Sequence, residues 1–227
     1  MLGILLSFVL VAAPASHSDL QQARDAQDRV RLDHIASVQA GAAEKQTADP
    51  QAQYQAAMAY SSLAEVAIEV RDKAQARTAA EAGMKFAERA VALKTAWAEY
   101  HRILGTLCGQ AAGAVGGLGA LKYGRCALDE VNKAVEMDPK ASINYLSRGI
   151  GNYYLPAAFG GGPELAAKDF SKAIELDARS AEAHLWLGVA LRKLNRDAEA
   201  RQALAKAVEL NPARVWAKQQ LEKTPAQ

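Results

Sequence analysis

Few residues in this chain have the types and spacing that chemistry needs. It carries two cysteines, Cys108 and Cys126, and four scattered histidines, His17, His34, His101 and His184. A metal centre needs clustered ligands, and neither H-E-x-x-H nor C-x-x-C is present. The glycine-rich run 105–124 lacks G-x-x-x-x-G-K-[ST], and Gly117-Leu118-Gly119 lacks the third glycine of a dinucleotide fingerprint. No G-x-S-x-G elbow occurs, and Cys108, between Leu107 and Gly109, has an apolar setting that disfavours a thiolate. The expectation is a non-enzymatic protein: no catalytic, cofactor-binding or metal-binding residues, and no cofactor.

The elements around these residues read as helices. The chain has 227 residues, 50% hydrophobic but only 6% aromatic, with alanine the dominant apolar type. That composition suits closely packed helices rather than a sandwich or barrel. A net charge of +2 indicates no nucleic-acid partner. Leu2 to Ala13 is an apolar run of ~12 residues, too short to span a bilayer. It meets Ala13-Pro14-Ala15 and then a polar stretch, which reads as a signal peptide over 1–15, cut after Ala15. The competing reading is a buried N-terminal helix. The first cysteine is Cys108, so no lipid-anchor cysteine follows the run. The mature chain is expected to be periplasmic or secreted, with no membrane span.

A phrase recurs four times: Ala90 to Thr95, Ala134 to Pro139, Ala173 to Ala178 and Ala207 to Pro212. The last two copies start 34 residues apart, and the earlier intervals are 44 and 39. Each phrase is a helix end running into a stop. Ahead of the phrases stand His101-x-x-Leu104-Gly105, Tyr145-x-x-Arg148-Gly149 and His184-x-x-Leu187-Gly188. Between each of these and its phrase lie Ala127, Ala166 and Ala200. In spacing and residue class this resembles the tetratricopeptide repeat family, and the pattern YY-L-P with F-GGG resembles exported bacterial members of it.

The resemblance implies an all-α fold, a right-handed α-solenoid of about four stacked antiparallel helix pairs with caps. Its units are a leading capping helix (16–50), a degenerate repeat (51–97), repeats with insertions (98–141 and 142–180), a close match (181–214) and a closing segment (215–227). In 51–97, Tyr60 takes the glycine position of helix A and Gly83 the alanine position of helix B. The insertions Gly109–Gly124 and Leu155–Pro163 are expected to loop out between helices A and B on one edge, with Phe159 folded back onto apolar surface. Thr224 to Gln227 is expected to fray.

By the family's register, Cys108 faces helix B and Cys126 precedes its close-approach alanine. A disulfide is the expectation in an oxidising compartment; the alternative is two free buried thiols. Arg148 stands where leucines stand in neighbouring units, with Asp169 as a candidate buried ion-pair partner. The concave, helix A face is the expected partner-binding site: Glu99, Arg102, Thr106, Leu146, Ile150, Tyr153, Leu185, Val189, Arg192 and Lys193. The chaperone-binding clamp of the family is absent, because Ala57, Ser61 and Ile103 stand at its positions. The function implied is a monomeric scaffold or adaptor binding a protein or extended peptide. The alternative is a small-ligand protein similar to the T-component of tripartite transporters, with a pocket lined by Tyr153, Tyr154 and Phe159. An enzyme ranks behind both.

Overall fold

Helix starts and stops are written in side chains that satisfy the orphan groups at helix ends. Asp28, Asp49, Asp72 and Ser180 each accept a hydrogen bond from a backbone N–H of the first turn that follows. The structure, a computed structural model, describes residues 17–115 and 119–225. The expected signal peptide and residues 116–118 of the first insertion lie outside the described residues. Among the described residues there are eleven α-helices and no strand. They are α1 (His17–Asp25), α2 (Arg29–Lys45), α3 (Pro50–Glu69), α4 (Lys73–Leu93), α5 (Ala98–Val115), α6 (Gly119–Met137), α7 (Ser142–Tyr154), α8 (Pro163–Leu176), α9 (Ala181–Lys193), α10 (Asp197–Leu210) and α11 (Val215–Glu222).

Consecutive helices pack as pairs, α3 on α4, α5 on α6, α7 on α8 and α9 on α10, and each pair stacks on the next. The glycines set the approach within a pair. A Cβ on Gly105 would meet Val131 Cγ2 at 2.5 Å, one on Gly149 the Phe170 ring at 2.5 Å, and one on Gly188 Leu204 Cγ at 2.5 Å. In the first full pair the roles are exchanged. Gly83 lies on α4, and its Cβ would meet Tyr60 Cβ of α3 at 2.8 Å. The large and small partners have swapped helices while the close approach is kept.

Polar residues early in helix A tie each pair to the one before. His101 Nε2 bonds the Thr95 carbonyl (2.8 Å), Asn144 Nδ2 donates to the Ala134 and Asp138 carbonyls (3.0 Å each), and Gln53 Nε2 donates to Ala43 O (2.7 Å). His184 Nε2 repeats the His101 contact on Ala178 O at 3.2 Å. These carbonyls sit at or just beyond helix ends, where intrahelical partners run out, so one side chain per unit serves as a stacking pin.

The segment expected to be one capping helix is two. Gln27, at φ 55°, turns the chain between α1 and α2. Arg71 (φ 66°) and Asn195 (φ 59°) turn it between α3 and α4 and between α9 and α10. In all three the amide after the left-handed residue reaches back to a helical carbonyl: Asp28 to Ala23, Asp72 to Ala67, Arg196 to Leu191. α1 and α2 therefore form a shortened helix pair of their own.

The glycine-rich insertion differs from its expectation as a loop. α5 runs on to Val115 and α6 begins at Gly119, so most of 109–124 lengthens two helices. Each glycine in a helix costs roughly 1 kcal/mol against alanine, but the extension has a surface to bury. α3 and α4 are also long, Ala111 is fully buried, and Gln110 Nε2 donates to Ser61 O (3.0 Å) while Tyr123 Oη donates to Glu81 (3.0 Å). Cys108 and Cys126 are joined in a disulfide across α5 and α6, with a Cα separation of 5.9 Å.

Phe159 also departs from its expectation: it is 63% exposed. The amides of Phe159 and Gly161 donate to Pro156 O and that of Gly162 to Asn152 O, so backbone bonds rather than a buried ring hold the turn. A Cβ on Gly161 would lie 2.3 Å from Leu155 O, and Gly162 has φ 118°, so both need glycine. The tail is anchored as far as Thr224, which is buried and accepts from Arg201 through its carbonyl at 2.6 Å.

Candidate functional site: the concave groove

The expected groove residues lie on α5 (Glu99, Arg102, Thr106), α7 (Leu146, Ile150, Tyr153) and α9 (Leu185, Val189, Arg192, Lys193), and α5 packs on α7 and α7 on α9. Arg102, Leu146, Leu185 and Val189 are buried there, while Glu99, Thr106, Ile150, Tyr153 and Arg192 are half-buried and Lys193 is exposed. Arg102 is the polar centre of the floor. Its guanidinium donates to both Glu99 oxygens (2.9 and 2.5 Å) and approaches Ser147 Oγ (3.4 Å), while Tyr54 Oη donates to Glu99 at 2.5 Å. Burial pushes the Glu99 carboxyl up, but Arg102 and Tyr54 outweigh it and hold the group below the usual carboxylate range. Lys193 donates to Tyr153 O (3.2 Å), and Arg192 is turned onto the closing helix, donating to Gln220 Oε1 at 2.6 Å.

Arg148 meets Asp169 as a bidentate pair at 2.6–3.1 Å, and Asn152 Nδ2 adds a third bond to the carboxylate at 2.9 Å. This pair lies within the α7–α8 unit.

The helix pattern does not announce the largest polar cluster. Arg214, at the start of α11, is 1% exposed. It donates to Glu65 (2.8 Å) and Glu69 of α3 and to Glu182 of α9 (2.9 Å), and its Nε lies 3.7 Å from Asp25 of α1. Arg24 of α1 pairs with Glu182 at 3.2 Å. Asn211 Nδ2 donates to Asp25 (2.8 Å), and Gln219 donates to Gln27 (3.2 Å). The first helices are thereby clasped to the last across the groove. Four carboxylates face two guanidinium groups. Burial pushes Glu65 up to about 7 against the pull of Arg24 and Arg214, and it raises Glu69 too. For Glu182 the two arginines outweigh burial and hold the carboxyl low.

α1 lies inside this arrangement. Leu20 and Ala23 pack against α2 and α3, with Leu32, Ile35, Ala59 and Leu63 among their neighbours. The seat is loose. A cleft of ≈ 260 Å³ opens between His17 and Leu20 on one side and Gln39, Gln51, Tyr54 and Met58 on the other. A second, of ≈ 400 Å³, separates Gln21 and Arg24 from Ile143, Leu146, Ala181 and Leu210.

Stacked helix pairs closed by a glycine or alanine contact, with a groove on the helix A side, define a tetratricopeptide-type α-solenoid. A tetratricopeptide repeat model matches residues 181–214. The chain belongs to the family described as Regulator of microtubule dynamics protein 1-3, whose model matches residues 19–155, more than half of its length. A search of curated proteins finds no match. Among solved structures, a thermophilic TPR protein from Thermus thermophilus is 19% identical, with a TM-score of 0.62 over 88% of this chain and 99% of its own. MamA from Desulfovibrio magneticus is 16% identical, with a TM-score of 0.45 over 88% and 99%. The Arabidopsis OM64 TPR domain is 20% identical, with a TM-score of 0.42 over 55% and 96%. At such identities the first of these speaks for the fold alone.

Proposed function

We propose that this chain is a non-catalytic helical-repeat scaffold that binds a segment of another protein in its concave groove. The observation that carries the reading is the pair of clefts flanking α1. They are lined by both apolar and charged or polar side chains, from α1, α2 and α3 in the first and from α1, α7, α9 and the end of α10 in the second, which suits a peptide or helix. The small-ligand alternative wants a pocket built from Tyr153, Tyr154 and Phe159. Neither cleft includes them. Tyr153 and Tyr154 pack edge-on against Trp186, at 5.7 and 6.0 Å between centroids, and Phe159 faces solvent.

Export after cleavage near Ala15 belongs to the same proposal, resting on the apolar run 2–13; N-terminal sequencing of protein from the native host tests it. For the partner, a photo-crosslinking residue at Thr106 or Ile150 should trap one protein. The same residue at Leu165, exposed on α8, should not. Equal labelling from both positions would sink the groove as the site.

A further inference from the structure

We propose that α1 is a displaceable occupant of the groove, and that the partner which replaces it is an amphipathic helix carrying a leucine, an alanine three residues on and an arginine directly after, as Leu20, Ala23 and Arg24 do. This rests on the groove reading above and specifies its partner.

Three observations support it. First, α1 is nine residues long, below the length at which a helix holds in water by itself, and its buried residues are Leu20, Ala23 and Asp25. It is therefore helical only through its contacts with the rest of the molecule, which a competing helix can make instead. Second, clefts lie on both flanks of α1, where the side chains of a replacement helix have space to enter. Third, its attachment across the groove is polar: Arg24 to Glu182, Asp25 to Asn211 and Arg214, and the Arg24 carbonyl to Arg214. Lifting α1 away removes one cation and one anion. Arg214 then stands alone against Glu65, Glu69 and Glu182. A replacement helix that brings an arginine to the place of Arg24 restores the second guanidinium. One without it leaves Glu182 buried with a single shared guanidinium.

The test uses the full chain and a fluorescent peptide of residues 17–28 as probe. Leu20→Asp removes the apolar anchor of α1 and should free the groove, so the peptide should bind this variant about 10-fold or more tighter than wild type, as relief of an internal competitor requires. The same peptide carrying Arg24→Glu should lose that gain. Amides 20–28 of wild type should exchange with deuterium about 100-fold faster than those of α3, as expected of a locally opening unit. If Leu20→Asp fails to fold, Arg24→Glu in the chain serves as the second variant and should give the same gain for the wild-type peptide. Equal affinity for wild type and variant, or α1 amides as protected as those of α3, would overturn the proposal. A groove crosslink that persists alongside either of those results would show that the binding site stands while its gate does not.

Discussion

Replacing Arg214 with methionine probes the clasp at its centre. Methionine keeps much of the side-chain length and removes the charge. It leaves Glu69, 3% exposed at the side chain, and Glu182, 17% exposed, without their shared donor. Removing one partner of a buried ion pair costs roughly 3–5 kcal/mol, because the remaining charge stays desolvated. The cost should depend on pH, with a sign fixed by the carboxylates. Glu65 titrates near 7 in the folded chain, above the ordinary 4.5, so its proton favours folding. That contribution is complete below pH ~4.5 and is lost as pH rises through about 7. Without Arg214 the carboxyls of Glu65 and Glu69 rise further and that of Glu182 rises from its lowered position, so the variant should lose stability more steeply than wild type between pH ~5 and ~8. Urea unfolding at both pH values measures this. The expectation is a loss of ~3–5 kcal/mol at pH ~8, shrinking by ~1–3 kcal/mol at pH ~5, about one to two pKa units' worth. A loss below ~1 kcal/mol at the higher pH, or one that is the same at both values, would refute the reasoning.

Gly188→Ala should cost ~1–3 kcal/mol in urea, because its Cβ would lie 2.5 Å from Leu204 Cγ and 3.0 Å from Ala200 O. Gly41→Ala, with nothing within 4 Å, should instead stabilise by ~0.5–1 kcal/mol, and a matching sign for the two would mean the helix register is misread. Reducing the Cys108–Cys126 disulfide, or Cys126→Ser, should cost ~3 kcal/mol for an 18-residue loop, read as a fall in Tm under reductant. Arg148→Leu should destabilise by ~1–3 kcal/mol by leaving Asp169 short of its charged partner; Arg148→Leu with Asp169→Asn should recover most of it in a double-mutant cycle.

Much of the architecture was legible because a repeat writes its packing rule several times. Gly105, Gly149 and Gly188 mark the A–B contact in the sequence and make that contact in the fold, and even the Tyr60–Gly83 exchange in the degenerate unit is readable as a swap. The α5–α6 extension was not legible. Glycines at 105, 109, 113, 116, 117, 119 and 124 argue locally for a loop, and only the neighbouring length of α3 and α4 favours helix as far as Val115 and again from Gly119. Phe159 misled for the converse reason. Burial is a fair prior for a lone aromatic, but three glycines and backbone bonds fix the turn without it. The Arg214 cluster was the hardest to see. Glu65, Glu69, Glu182 and Arg214 look like ordinary helix-surface charges until superhelical curvature brings residues as far as 149 positions apart together. Of the expected groove residues, Leu146, Leu185 and Val189 are buried, and that burial depends on packing between units that the 34-residue period does not encode.

The bond from Asn211 to Asp25 spans 186 residues, and it gives the molecule a history as well as a shape. A solenoid folds from neighbour contacts, so each unit can settle as it is made. Glu65 and Glu69 are synthesised well before Arg214, 145–149 residues ahead of it. Until Arg214 is made the two carboxylates lack its guanidinium, and α1 has only one wall to lean on. Closing so long a span adds little entropic cost beyond a shorter one, ~0.6 kcal/mol per doubling, so the delay comes from the order of synthesis more than from the cost of closure. The nascent chain thus passes through an interval in which its groove is complete from α3 to α9 and its far end does not yet exist.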